Sequence, residues 1–375
     1  MSNSNRSNFK KIALEKLTNK DCININNFKK FNAKLTPLIS GSSSSYEEAI
    51  NEAKNIIKSS SGIHIDGMGC DLKGIDKILD FSEENCASVD HMSSDETSSF
   101  YSYFQKEGGL MVSLGELKNR ADLIIFVNLN ENELPIQLIS SLTHPRKKIT
   151  FLSKKIFRNT NYKHIKSVNL YEDLNWLRNN FSGLKKKSII KNPDLIKLLK
   201  DIHECKYGVI VLNVGLENEF LSKAVINLVK TVNYKCRLNI FLNGRENNLA
   251  GFIQSSLWRT GYPQRYNFTS NGPIYNPIEY KDIIMRDKKD LQIYISCFEN
   301  NPKINLFKKN IFIGNGNIKN KRLFDVFIPT SVPGIDEIGL LVRSDHSCVL
   351  KVSKTIQTNY KSVSDVFSLM NSHEN

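Results

Sequence analysis

The sequence predicts an α/β protein with doubly wound parallel sheets, on three observations. Apolar runs of strand length recur along the chain, among them Leu123–Val127, Lys148–Leu152, Gly208–Leu212, Leu238–Leu242, Leu291–Ile295 and Asn310–Ile313. Segments with apolar residues at helical spacing, such as Phe220–Val232, lie between these runs, and strands alternating with helices build parallel sheets with helices on both faces. Finally, 375 residues, 40% of them hydrophobic, exceed what one core usually serves, so two joined lobes are expected.

Taken in order, Tyr46–Lys58 places Ala49, Ile50, Ala53, Ile56 and Ile57 on one helical face, with Ser44 and Ser45 as candidate caps. Ile63–Asp66 reads as a strand, Gly67-Met-Gly69 as a turn, and Ile75, Ile78, Leu79 and Phe81 as the apolar stripe of a second helix. Such a turn presents N–H groups to a phosphate at a helix start, or simply connects two elements. Ala87–Asp90 is a further strand, and His91 reads as a hydrogen-bonded structural residue because no ligand partner stands at metal spacing. A polar stretch runs through Ser99, and Leu110–Gly115 leads into Glu116–Asp122. Leu123–Val127 is apolar throughout, as a strand covered on both faces must be. Asn180–Pro193, with its lysines, is expected to be an exposed excursion. Asp325–Lys354 reads as extended segments joined by the Val332-Pro-Gly334 turn, and the chain from Asn371 should fray.

The chain carries 52 Lys and Arg against 38 Asp and Glu, a formal charge of +14. Compositional bias, a polyanionic partner and nucleic acid compete to explain it. The lysines are dispersed, with only the short runs Lys185–Lys187 and Lys288–Lys289, and no basic reading motif accompanies them; nucleic acid therefore ranks last and compositional bias first. No apolar run reaches membrane-spanning length, and MSNSNRSNFKKIALEKL lacks a signal-peptide pattern, so a soluble cytoplasmic protein is expected. The seven cysteines contain no Cys-x-x-Cys pair, which argues against a disulfide framework or a self-contained zinc or iron–sulfur site. Most are expected to be buried as small hydrophobes.

Turn formers and aromatic rings are densest in Gly251–Glu279, GFIQSSLWRTGYPQRYNFTSNGPIYNPIE. Its prolines rule out one continuous helix or strand. An ordered, looping segment packed through Trp258, Tyr262, Tyr266, Phe268 and Tyr275 is expected. The Gly-Phe, Trp, Gly-Tyr-Pro and Asn-Pro series, followed by Asp290–Ser296 and Phe324–Gly334, resembles the tungsten- or molybdenum-containing B subunit of formylmethanofuran dehydrogenases. That resemblance runs from Cys22 onward. It implies two interleaved doubly wound Rossmann-like lobes of the molybdopterin oxidoreductase type, like formate dehydrogenase and DMSO reductase. Residues 1–33 would be a remnant of the iron–sulfur region, 34–96 with 246–375 a discontinuous first lobe, and 97–245 the second.

The family holds a [4Fe-4S] cluster, molybdopterin guanine dinucleotide and a Mo or W ion ligated by cysteine or selenocysteine. A cluster needs several thiolates, and here Cys22 alone falls at such a position. Keeping the interval between Asp90 and Gly115 without a gap places Glu96 at the metal-bound cysteine and Thr97 at the following histidine. A shifted register sets Asp90-His91 there instead; neither supplies sulfur, and a carboxylate is a hard replacement for a soft donor. Asn243-Gly244-Arg245 stands at the Arg-Gly-His motif. The dinucleotide turns leave vestigial candidates Gly67, Gly69, Asn128 and Gly215. No cofactor is therefore expected, and no catalytic residue.

This pattern is similar to the B subunits of formyltransferase/hydrolase complexes, which act on formyl-tetrahydromethanopterin in one-carbon metabolism. The resemblance implies a hetero-oligomer with an amidohydrolase-type A subunit, a C subunit and a formyltransferase D subunit. It also implies a polyglutamylated methanofuran-like carrier, which a basic surface would attract. The alternatives are an active molybdenum or tungsten oxidoreductase subunit and an α/β hydrolase using Asp90, His91 and Asp95.

Overall fold

A computed structural model describes residues 35–129, 142, 144–154, 162–181, 192–213, 219–243, 247–275, 277, 280, 289–299, 307–315, 318 and 321–371. The chain begins with β1 (Leu38–Ile39), β2 (Ser42–Ser43), α1 (Tyr46–Lys58), β3 (Ile63–Gly69), α2 (Leu72–Glu84) and β4 (Ser88–Val89). Local chemistry starts both helices: Ser45 and Glu48 form a capping box on α1, and Asp71 Oδ1 accepts from Gly74 N–H at 2.9 Å on α2. α3 (Ser94–Glu107) replaces the expected polar stretch, with Asp95 and Glu96 in a first turn whose positive end favours them.

Next come α4 (Leu114–Asn119), β5 (Leu123–Val127), β6 (Lys148–Ser153), β7 (Lys163–Lys166), α5 (Leu170–Phe181), α6 (Pro193–Glu204), β8 (Gly208–Asn213), α7 (Glu219–Val232) and β9 (Leu238–Asn243). The last part holds α8 (Leu249–Thr260), β10 (Tyr266–Thr269), β11 (Gly272–Tyr275), β12 (Leu291–Ser296), β13 (Lys309–Gly314), β14 (Val326–Pro329), β15 (Gly339–Val342), β16 (Val349–Val352) and α9 (Val363–Asn371).

These elements form two compact units, one built on Ser99–Gly244, the other on the described residues up to Ser98 and on Arg245–Asn375. The first contains a five-stranded parallel sheet, β7-β6-β5-β8-β9. Ile124, Phe126, Phe151, Val209, Val211 and Phe241 make one of its cores, and the Phe126 and Phe151 rings stack 4.6 Å apart across β5 and β6. Every residue of β5 is buried, as its apolar run requires.

The second unit contains a nine-stranded sheet, β11-β10-β4-β3-β12-β13-β14-β1-β2. Its five central strands, β4 to β14, are parallel, while the β10–β11 hairpin and the short β1–β2 pair add antiparallel edges. Tyr294, Phe312 and Phe327 stack across β12, β13 and β14 with centroids 6.1 and 5.7 Å apart. Such cross-strand aromatic pairs hold neighbouring strands in register.

Three local expectations are corrected. Gly251–Glu279 contains regular elements rather than a loop: α8 ends on Gly261 at φ 77°, and a hairpin follows. Trp258 is not packed but 90% exposed, because α8 turns Leu249, Ala250, Phe252, Ile253 and Ser256 inward and leaves the indole on its outer face. Tyr266 and Phe268 are buried as expected. Among the described cysteines only Cys70 and Cys297 are buried; Cys86 is exposed, and Cys205, Cys236 and Cys348 are partly exposed. Cys22 and most of the 180–193 excursion lie outside the described residues.

Candidate functional site

In an open parallel sheet a ligand crevice forms beyond the carboxyl ends of the strands, where the strand order reverses. In the larger sheet that reversal lies between β3 and β12. His64 pairs with Ser88 and Ile65 with Val89, so Asp66 and Asp90 follow at the next register position on adjacent strands. Two-residue alternation along each strand puts both carboxylates on one face.

Their counter-charge arrives from the turn after α8. Gly261 ends the helix, and the chain passes Pro263 to Arg265, held at φ 59°. Arg265 Nε lies 3.5 Å from Asp90 Oδ2, and Nη2 hydrogen-bonds Asp95 Oδ1 in the first turn of α3. Nε itself makes no hydrogen bond, although Arg265 is only 9% exposed. Burial, then the neighbouring Asp90 charge, pushes the Asp66 carboxyl upward. Burial also raises Asp90, with Arg265 acting in the opposite sense. Burial thus keeps Asp66 and Asp90 protonated well above the ordinary carboxylate range, with the Arg265 guanidinium acting against it.

Gln264 locks the neighbouring turn. Its Oε1 accepts from Ser94 Oγ at 2.9 Å, and its Nε2 donates to Thr97 Oγ1 at 2.9 Å. Thr97 Oγ1 in turn donates to Ser93 O at 2.8 Å. His91 is buried, and Ser93 N–H donates to its Nδ1 at 3.0 Å. The proton therefore sits on Nε2, 3.3 Å from Asn247 O. Burial lowers His91 to about 4, with the Asn247 bond opposing, so the ring is neutral. That is the structural histidine expected from the sequence.

Thr97 is thus a buried hydrogen-bonding residue, whereas Glu96 on the same turn is exposed. Both belong to the larger-sheet unit, and Asn243 ends β9 in the other, paired with Asn213. Arg245 and Gly215 lie outside the described residues. Gly67 and Gly69 do not form a turn into a helix; they are the last part of β3, and a Cβ on Gly67 would overlap the Ile295 carbonyl oxygen. Gly67 N–H is already bonded to Asp66 Oδ1 at 2.6 Å, and Asp71 occupies the start of α2, where a phosphate would meet a carboxylate. Asn128, at φ 52° beyond β5, gives its N–H to Leu152 O at 2.9 Å. The described turns therefore do not fit a dinucleotide phosphate.

Among the described residues no group of three or more His, Cys, Asp or Glu is arranged to hold a metal ion. Sequence reasoning missed Arg265 and Gln264. The Gly-Tyr-Pro turn before them was the available signal, since it fixes where the next residues point.

Fold and site together define a mixed α/β protein on parallel sheets, with a buried ionic cluster at the ends of β3 and β4, beside one topological switch point. No protein-family model matches the sequence, and no curated protein sequence matches it. Among solved structures, the chain is similar to one from the formyltransferase/hydrolase complex (FhcABCD) of Methylorubrum extorquens, determined in complex with methylofuran. The TM-score is 0.78 at 16% identity, covering 89% of this chain and 97% of that one. At that identity the likeness establishes the α/β fold. No helix among the described residues is long and apolar enough to cross a membrane.

Proposed function

We propose that this chain is a non-redox structural subunit of a formyltransferase/hydrolase complex, corresponding to its formylmethanofuran dehydrogenase-like B subunit. The carrying observation is a likeness that spans 89% of this chain and 97% of its counterpart, with no large part of either left over. The positions where the family metal site falls support the same reading: Thr97 is tied to Gln264, and Glu96 is exposed. In this reading the molybdopterin, the Mo or W ion and the iron–sulfur cluster are dispensable. Formyl transfer and hydrolysis, from formyl-tetrahydromethanopterin to formate, belong to the D and A subunits, and this chain with C supports them. The net charge of +14 suits long-range attraction of a polyglutamylated carrier.

Co-expression with the A, C and D subunits tests the proposal. A stable complex that releases formate and contains no Mo or W by metal analysis is expected. Stoichiometric Mo or W with pterin in the purified chain would overturn it in favour of an active oxidoreductase subunit.

A further inference from the structure

We infer that the groove between α2 and α8 seats a segment of a partner subunit that presents an apolar side chain beside a Lys or Arg. The inference rests on the membership of a hetero-oligomer proposed above. The groove has a volume of about 460 Å³, and Leu72, Leu79, Val342 and Trp258 supply its apolar lining, with Asp76 and Arg259 as its charged groups. Trp258 is 90% exposed on a helix whose opposite face is buried. A large indole beside a groove is the residue type that most often anchors protein interfaces, because it gives much contact area for little lost rotamer freedom.

The charges identify the occupant. Arg259 is already neutralised: Nε and Nη2 bond Glu83 Oε2 at 2.9 and 2.6 Å, and Nη1 bonds Asp80 Oδ1 at 2.6 Å. Asp80 also takes Lys77 Nζ at 2.9 Å. Asp76, by contrast, is exposed and makes no ion pair among the described residues. The groove thus offers, next to an indole, one exposed carboxylate outside any ion pair of the described residues, which an incoming Lys or Arg complements. Two copies of this chain, each of net charge +14, repel one another at long range, so a different polypeptide is the better occupant.

The test uses the full chain reconstituted with the A, C and D subunits. The chain has two tryptophans, so Trp176→Phe leaves Trp258 as its sole indole in this subunit. Labelling that indole with 5-fluorotryptophan isolates its signal from partner tryptophans in fluorine NMR. Assembly should shift the Trp258 resonance. Trp258→Ser and Asp76→Lys should each weaken assembly at least tenfold, with the melting temperature of the free chain unchanged. Unaltered assembly by both variants with an unmoved resonance would overturn this inference and leave the complex membership standing. Failure of the wild-type chain to assemble would overturn the membership and this inference with it. A resonance shift on self-association of the chain alone would replace the partner with a second copy and overturn it as well.

Discussion

Arg265 Nε stands 3.5 Å from Asp90 Oδ2, and the same guanidinium reaches Asp95 through Nη2. One cation from the turn after α8 thereby ties the end of β4 to the start of α3. Asp66, on the adjacent strand, adds a third carboxylate whose charge the guanidinium cannot fully offset. The cluster is consequently a place where protonation and fold stability are coupled.

Arg265→Leu should expose that coupling. Removing one member of a buried ion pair typically costs about 3–5 kcal/mol, because the remaining charge is left without compensation. Asp66 and Asp90 escape part of this penalty by holding protons, so the cost should be about 3 kcal/mol at pH 8 and about 1 kcal/mol at pH 5. Urea titrations at the two pH values measure it. Equal losses would mean that the guanidinium contributes through packing alone.

Asp66→Asn tests the same coupling from the acid side. The folded-state carboxyl is raised to about 7, mainly by burial and then by Asp90, above its ordinary value of 3.8. The folded state therefore binds the proton more tightly than the unfolded state. Its contribution is fully present below the unfolded pKa and is lost as pH rises through the folded one. The variant should be more stable than the parent at pH 8, by about 1–3 kcal/mol, with the difference closing as pH falls from 8 toward 4. A difference that does not change with pH would remove Asp66 from the account.

Much of the scaffold was legible because hydrophobic burial dominates it. Leu123–Val127 and Leu291–Ile295 are buried along their whole length, so their sequence alone marks them as central strands. α3 was not legible: SDETSSFYSYFQKE opens with polar residues and has a weak apolar stripe. Trp258 departs from the expectation because ring content does not fix burial: the helical phase of Leu249, Phe252 and Ile253 turns the indole outward. Beyond the Gly-Tyr-Pro turn before it, Arg265 carries no local sign of its role, since its partners Asp90 and Asp95 are remote in sequence and only the completed sheet brings them to it.

Gly67→Ala and Gly69→Ala should separate a packing role from a ligand-binding one. Gly67 has φ 87°, and a Cβ there would collide with the Ile295 backbone. A loss of about 3 kcal/mol or more is expected, since neither the clash nor the backbone angle can relax cheaply. At Gly69 the added Cβ would stand 3.1 Å from Met92 Cε and 3.3 Å from Asn247 Cβ, and a flexible thioether can yield. About 1 kcal/mol is expected there. Guanidinium denaturation of both variants, without any ligand, checks the order; a larger loss at Gly69 would contradict the strand-packing account.

The buried histidines set the opposite slope. Burial lowers His91 to about 4 and His64 to about 3, against an ordinary 6.5. His64 lies with Nδ1 3.0 Å from Ser88 Oγ and its ring stacked on Phe307, and His91 stacks on Phe252. Below pH 6.5 the unfolded chain gains protons that these folded rings refuse, so their contribution to stability falls as pH drops toward 4. Over the same interval Asp66 and Asp90 act in the reverse direction, because their folded forms gain protons before the unfolded chain does. The two effects oppose each other in the wild-type protein and should leave a shallow dependence between pH 4.5 and 6.5. In Asp66→Asn/Asp90→Asn the histidine slope, limited to about 1.4 kcal/mol per pH unit for each ring, loses two of its counterweights and keeps the partly buried Glu337, raised to about 7 mainly by burial. Urea titrations at pH 4.5 and 6.5 should therefore show a larger acid loss in the double variant than in its parent. Nitrogen NMR should meanwhile find His91 as the Nε2–H tautomer down to pH 5. An imidazolium signal from His91 at pH 6 would refute the neutral ring, and equal acid loss in the two proteins would show that the carboxylates do not offset it.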